Sequence, residues 1–149
     1  MGGGLQYGNW TSSAEFNILV DPEAAKIVYE SGIEHYMAGL DVTEKAVIYP
    51  EDIERIRSID NDVAKIGAGW FDFFIIHHKE LGHLGAPLHD PCAVMALIHP
   101  EIFDIRKFYV EIDTKGMYTL GTTVVDYNNV TNKKPNTKCI VNVAREKFV

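Results

Sequence analysis

The spacing of apolar residues changes once along the chain, near residue 102, and this limits the folds open to it. Before that point apolar residues recur at helical intervals, in "DPEAAKIVYESG", "EDIERIRSI", the stretch from Asp62 to about Leu81, and "PCAVMALIHPEIF". After it, "RKFYVEIDT", "MYTLGTTVVD" and "KCIVNVA" are rich in the β-branched and aromatic residues that suit a pleated surface. Helices alternating with a short strand, followed by a hairpin and a last strand, predict an α/β fold with a mixed sheet.

Local signals refine this outline. Residues 1–13, with glycines at 2, 3, 4 and 8, read as a loop, and no clean period emerges before Asp21. Asp21 suits a helix cap, Pro22 the first helical position and Gly32 the stop, with Ala24, Ala25, Ile27 and Val28 as the apolar face. "HYMAGL" reads as a short strand with Asp41-Val42-Thr43 as its polar exit. Ile53, Ile56 and Ile59 share one side of the next helix. In the 62–81 helix Ile66, Trp70, Phe73, Phe74 and His77 stand out, and the aromatic residues, with Phe71, read as core or interface. "GHLGAPLHD" is a loop, and Pro91 opens the following helix with Asp90 as its natural cap. Lys115-Gly116 marks the turn of a hairpin, and Gly121 a bulge within it.

At 149 residues the chain reads as one domain with room for a sizeable core. Its formal net charge of -7 argues against a large nucleic-acid footprint. No run of about 18 apolar residues is present to span a membrane. "MGGGLQYGNW" lacks the basic and apolar regions of a secretory leader. Cys92 and Cys139 form neither a disulfide framework nor a zinc motif, so a reducing, cytoplasmic compartment is expected.

Two places could carry chemistry. Asn9, Glu15 and Asn17 put two amides and a carboxylate beside a glycine-bearing loop, a set that can match the donors and acceptors of a vicinal diol. In an extended chain Glu15 and Asn17 would point the same way. The same residues also suit ordinary turns. The second place is "LHDPC". Asp90 is a helix cap on one reading, and on the other it offers an oxygen to a cation such as calcium, which takes about 6–8 oxygen ligands. His89 could carry a proton to a leaving group near neutral pH, with His77, His78 and His83 in the preceding helix and loop.

Taken together, "MGG…GN…AEFN…VDPEAA", "GLDVT", "HDPCAV" and "TTVVD" resemble the C-terminal half of the inosine–uridine preferring nucleoside hydrolases, over most of the chain. The resemblance implies a Rossmann-like mixed-sheet fold, truncated here at its N-terminal half and after the last strand. It implies cleavage of the N-glycosidic bond of ribonucleosides to ribose and free base, through an oxocarbenium-like centre with a bound calcium ion. It places Met1 and Asn9 on the ribose pocket, Glu15 and Asn17 on the ribose hydroxyls, Asp90 on calcium, His89 as the acid for the leaving base, and one of His77, His78 and His83 near the base, with His77 taken as the candidate. The family's aspartate-rich D-x-D-x-x-x-D-D motif, which supplies most calcium ligands and the base that activates water, has no counterpart in this sequence. The isolated chain is therefore expected to lack full activity, and to self-associate or need the missing half. The other function the sequence leaves open is a noncatalytic relative acting as a scaffold or a weak ribose or nucleoside binder.

Overall fold

A computed structural model describes residues 1–149. Helices α1 (Phe16–Val20) and α2 (Pro22–Glu30) lead to strand β1 (Tyr36–Met37) and the short helix α3 (Leu40–Thr43). Strand β2 (Val47–Ile48) precedes α4 (Pro50–Arg57) and α5 (Asp62–Glu80), and β3 (Ala86–Pro87) precedes α6 (His89–Ile98). Strands β4 (Phe103–Phe108), β5 (Val110–Ile112), β6 (Thr123–Val125) and β7 (Thr137–Val143) follow, then α7 (Arg145–Phe148). The central sheet has the order β1-β7-β4, with β1 parallel and β4 antiparallel to β7. It is the mixed sheet that the change of period predicts. No helix is long and apolar enough to cross a membrane.

The sheet is covered on two sides. Ala38, Val42, Cys92, Ala96 and Ile140 bring α3 and α6 against β7, while Ile18, Tyr29, Met37, Val110 and Cys139 bring α1, α2 and β5 against it. A third cluster, with Ile48, Ile53, Ala68 and Ile75, joins α4 and α5 to the β2–β3 pair. Asp21 caps α2 by accepting the Ala24 amide at 2.9 Å, as the Asp-Pro spacing predicts. The buried side of that helix is Pro22 and Tyr29 rather than Ile27 and Val28, which are exposed. In α5 the core takes Ala68 and Ile75, while Trp70 is 73% and Phe73 80% exposed.

Three expectations need correction. The expected hairpin is present but shorter than the sequence suggests: of "RKFYVEIDT" only β5 pairs with β6, and the part before Tyr109 is β4, which pairs with β7. Asn136 produces the division, since its side chain accepts the Val110 amide at 2.8 Å and donates to the Val110 carbonyl at 2.9 Å, occupying both groups. Gly121 is not a bulge but part of the turn after β5, with φ +78, and a Cβ there would lie 2.8 Å from Leu19 Cα. The register shift falls instead between Asp104 and Ile105. Finally, the last strand runs on into α7, whose Arg145 binds the Asp52 carboxylate and the Val47 carbonyl and lies over the Tyr49 ring.

Candidate functional site

The glycine segment at the start of the chain is a fixed element. Gly2 donates to the Ala38 carbonyl at 3.1 Å, and Gly3 accepts the Leu40 amide at 2.9 Å. Gly4 exchanges two bonds with the Thr123 hydroxyl, at 3.0 and 2.5 Å. The backbones approach so closely that a Cβ on Gly39 would sit 2.9 Å from the Gly3 oxygen. Chain start, end of β1 and β6 thus meet at one place.

Glu15 closes this platform. It is not in an extended stretch with Asn17, as the sequence suggests, but is the N-cap of α1. Its carboxylate is buried and accepts the amides of Gly3 and Asn17 at 2.9 Å and of Ile18 at 3.3 Å. Asn9 reaches the same helix end, accepting the Phe16 amide at 3.0 Å. The Asn17 side-chain amide contacts the Met1 sulfur at 3.1 Å. Met1, Asn9, Glu15 and Asn17 therefore lie together around the first turn of α1.

The "LHDPC" stretch takes a different form from the one its proline suggests. The helix begins at His89 with Leu88 as N-cap, and Asp90 makes no capping bond. The Leu88 amide is fixed by the Ala46 carbonyl at 2.9 Å, which places the cap early. Pro91 then falls within the first turn, where backbone amides have no partner inside the helix, so its missing N–H costs nothing there. Asp90 is left exposed, with no hydrogen bond or ion pair in the chain. His89 is half-buried, and its Nδ1 lies 2.8 Å from the hydroxyl of fully buried Thr43. Burial pushes the His89 pKa below the ordinary value, against the charges of Glu44, Asp90 and Glu15, with His78 reinforcing the fall.

A cleft of about 390 Å³ opens beside this pair, lined by Trp70, Phe71, Phe74, Leu88, His89 and Asp90. Of the three histidines in the preceding region, His77 is exposed near the end of α5, its ring 5.8 Å from that of His78. Tyr7 donates to Glu44 at 2.6 Å, and that bond, with burial and the carboxylate charge, pushes its pKa up to about 12.

The family model for inosine–uridine preferring nucleoside hydrolases matches residues 1–149. The chain belongs to this family. It is 54% identical over its full length to a pyrimidine-specific ribonucleoside hydrolase, RihA, of Salmonella enteritidis, of which it covers 49%. Among solved structures it matches 48% of a purine-preferring ribonucleoside hydrolase from Gardnerella vaginalis, with 99% of this chain aligned, 30% identity and a TM-score of 0.87. A plant nucleoside hydrolase matches with the same TM-score at 28% identity, the alignment spanning 99% of this chain and 49% of that one. The chain spans about half the length of the relatives it matches.

Whether the chain could hold calcium can be tested on its donors. Asp90 offers a free carboxylate, but no group of three or more His, Cys, Asp or Glu side chains could hold a metal ion. A cation that takes about 6–8 oxygens is not satisfied by one exposed carboxylate. The residues present do not fit a complete calcium site.

Sequence reasoning missed Thr43 and Gly3. Thr43 lies in "GLDVT", part of the family resemblance, yet it reads there as the polar exit of a strand. Its burial and its pairing with a residue 46 positions away are tertiary facts.

Proposed function

We propose that the chain is the C-terminal portion of a ribonucleoside hydrolase and supplies one wall of its active site. The observation that carries this reading is the hydrogen-bond set of Glu15, Asn9 and Asn17. An ionised carboxylate has about four lone-pair positions, and three on Glu15 are taken by backbone amides. One remains to accept a hydroxyl. The Asn17 carbonyl oxygen is free to accept another, and the Asn9 side-chain NH₂ is free to donate. That set is complementary to the vicinal hydroxyls of a ribose.

In this reading Glu15 also places negative charge beside the ribosyl centre, where positive charge builds as the glycosidic bond breaks. Met1 and Asn9 complete the sugar's wall, His77 stands towards the base, and His89 serves the departing base by donating to it. Asp90 would be one ligand of a calcium site completed by residues outside this chain, and the metal would there lower the pKa of a bound water. The 54% identity to a pyrimidine-specific hydrolase makes uridine and cytidine the first substrates to test. A second reading, a noncatalytic nucleoside binder, is favoured by the isolation of Asp90.

Base release from uridine, cytidine and inosine, with calcium present, separates these readings. It is measured for the purified chain alone and for the chain co-expressed with the N-terminal portion of the RihA relative. Turnover only in the complex, faster with uridine than with inosine, is expected. Robust turnover by the chain alone overturns the half-site, and a well-formed complex that binds uridine without cleaving it overturns the enzyme.

A further inference from the structure

His89 has one ring nitrogen held and one open. Nδ1 lies 2.8 Å from Thr43 Oγ1, Nε2 has no hydrogen bond within the chain, and the ring borders the cleft beside Trp70 and Phe74. Thr43 is fully buried on α3, and its hydroxyl makes no other hydrogen bond. A buried hydroxyl hydrogen without an acceptor carries a full desolvation penalty.

A neutral imidazole has one nitrogen that donates and one that accepts. If Nδ1 held the proton, it would donate to Oγ1, and the Thr43 hydroxyl hydrogen would have no acceptor. If Nε2 holds it, the hydroxyl donates to Nδ1 and every buried group is paired. We infer that Thr43 is a positioning residue that fixes neutral His89 as its Nε2–H tautomer, so that the ring presents a donor to the cleft. This rests on the reading that His89 serves the leaving base. The base departs with the electron pair of the glycosidic bond, and a donor facing it is what that charge requires. The arrangement is firm because the Thr43 amide is held by the Gly39 carbonyl at 3.1 Å, and the first residue of α3, Leu40, is tied to Gly3. The same short helix thus aims the histidine and braces the glycine platform.

The test is the ¹⁵N spectrum of histidine-labelled chain at about pH 8, above the ordinary histidine pKa. The His89 signals are assigned by their loss in His89→Gln. The expected result is a protonated Nε2 and an unprotonated Nδ1, with the Nε2–H form at least about tenfold in excess. Thr43→Ser, which keeps the hydroxyl, retains that excess, and Thr43→Val, which removes it, lowers the ratio several-fold. A predominantly Nδ1–H ring in the unaltered chain, or a ratio that Thr43→Val leaves unchanged, overturns the inference. The spectrum of the unaltered chain decides the tautomer without relying on any variant to fold. It is also independent of turnover: an Nε2–H ring in a chain whose complex with the N-terminal portion of the RihA relative binds uridine without cleaving it would sink the hydrolase reading and leave the Thr43 inference standing.

Discussion

The Gly3 amide donates to the Glu15 carboxylate at 2.9 Å across twelve positions of sequence, and this bond joins the chain start to the first turn of α1. Glu15→Gln replaces one acceptor oxygen with an NH₂ group that faces backbone donors. A urea titration should show a loss of about 1–3 kcal/mol, the cost of unpaired buried groups. A midpoint unchanged from the parent chain would mean that the carboxylate is not the clasp of this loop.

Asp90 gives the opposite expectation. It is exposed, makes no bond and does not cap α6, so Asp90→Asn should alter stability by no more than about 0.5 kcal/mol. A helix cap would cost about 1 kcal/mol. Thermal melts at physiological salt distinguish the two.

The two thiols make the interior readable by chemistry. Burial pushes Cys92 up to about 11 and Cys139, where the Asp41 charge adds to it, up to about 12. Neither should react with a thiol reagent at about pH 8 until the chain unfolds, and both should react in urea. The sign for stability follows. An unfolded thiol ionises from about pH 8.5, whereas the folded ones stay protonated, so native stability falls as pH rises above that value. Rapid labelling of either thiol in the native chain would contradict their burial.

Apolar side chains stand uncovered on α2, α5 and α6, including Ile27, Trp70, Phe73 and Leu97. Exposed patches of this kind mark surfaces that other protein covers. The chain spans about half the length of the relatives it matches, and under the proposed function the occupant is the other portion of a hydrolase of their length. Without it the isolated chain should sediment as species larger than 16.7 kDa, and co-expression with that portion should yield a one-to-one complex. A chain that remains monomeric at high concentration would contradict this.

How far the sequence speaks depends on whether the deciding contact is local. Asp21-Pro22 and Asp90-Pro91 carry the same signal, yet only the first behaves as read. Asp21 finds its partner three residues on, in Ala24. At Asp90 the helix start is set instead by the bond from Leu88 to Ala46, which no local pattern contains. Likewise the helix signals over 51–59 and 62–81 hold, because their spacing is local. The faces of those helices are read less well, since burial of Ala68 rather than Trp70 depends on what packs alongside. Residues near Glu15 were legible as a group from the AEFN pattern. Their geometry was not, because Glu15 is drawn into capping a helix too short to show a period.

The central claim is that His89 and Asp90, together with the ribose-facing cluster, are half of an active site. Uridine cleavage by the chain complexed with the N-terminal portion of its relative tests it most directly. His89→Ala and Asp90→Ala should each lower kcat about 10²-fold or more while the complex still assembles. Both variants turning over within about twofold of the parent complex would contradict the account.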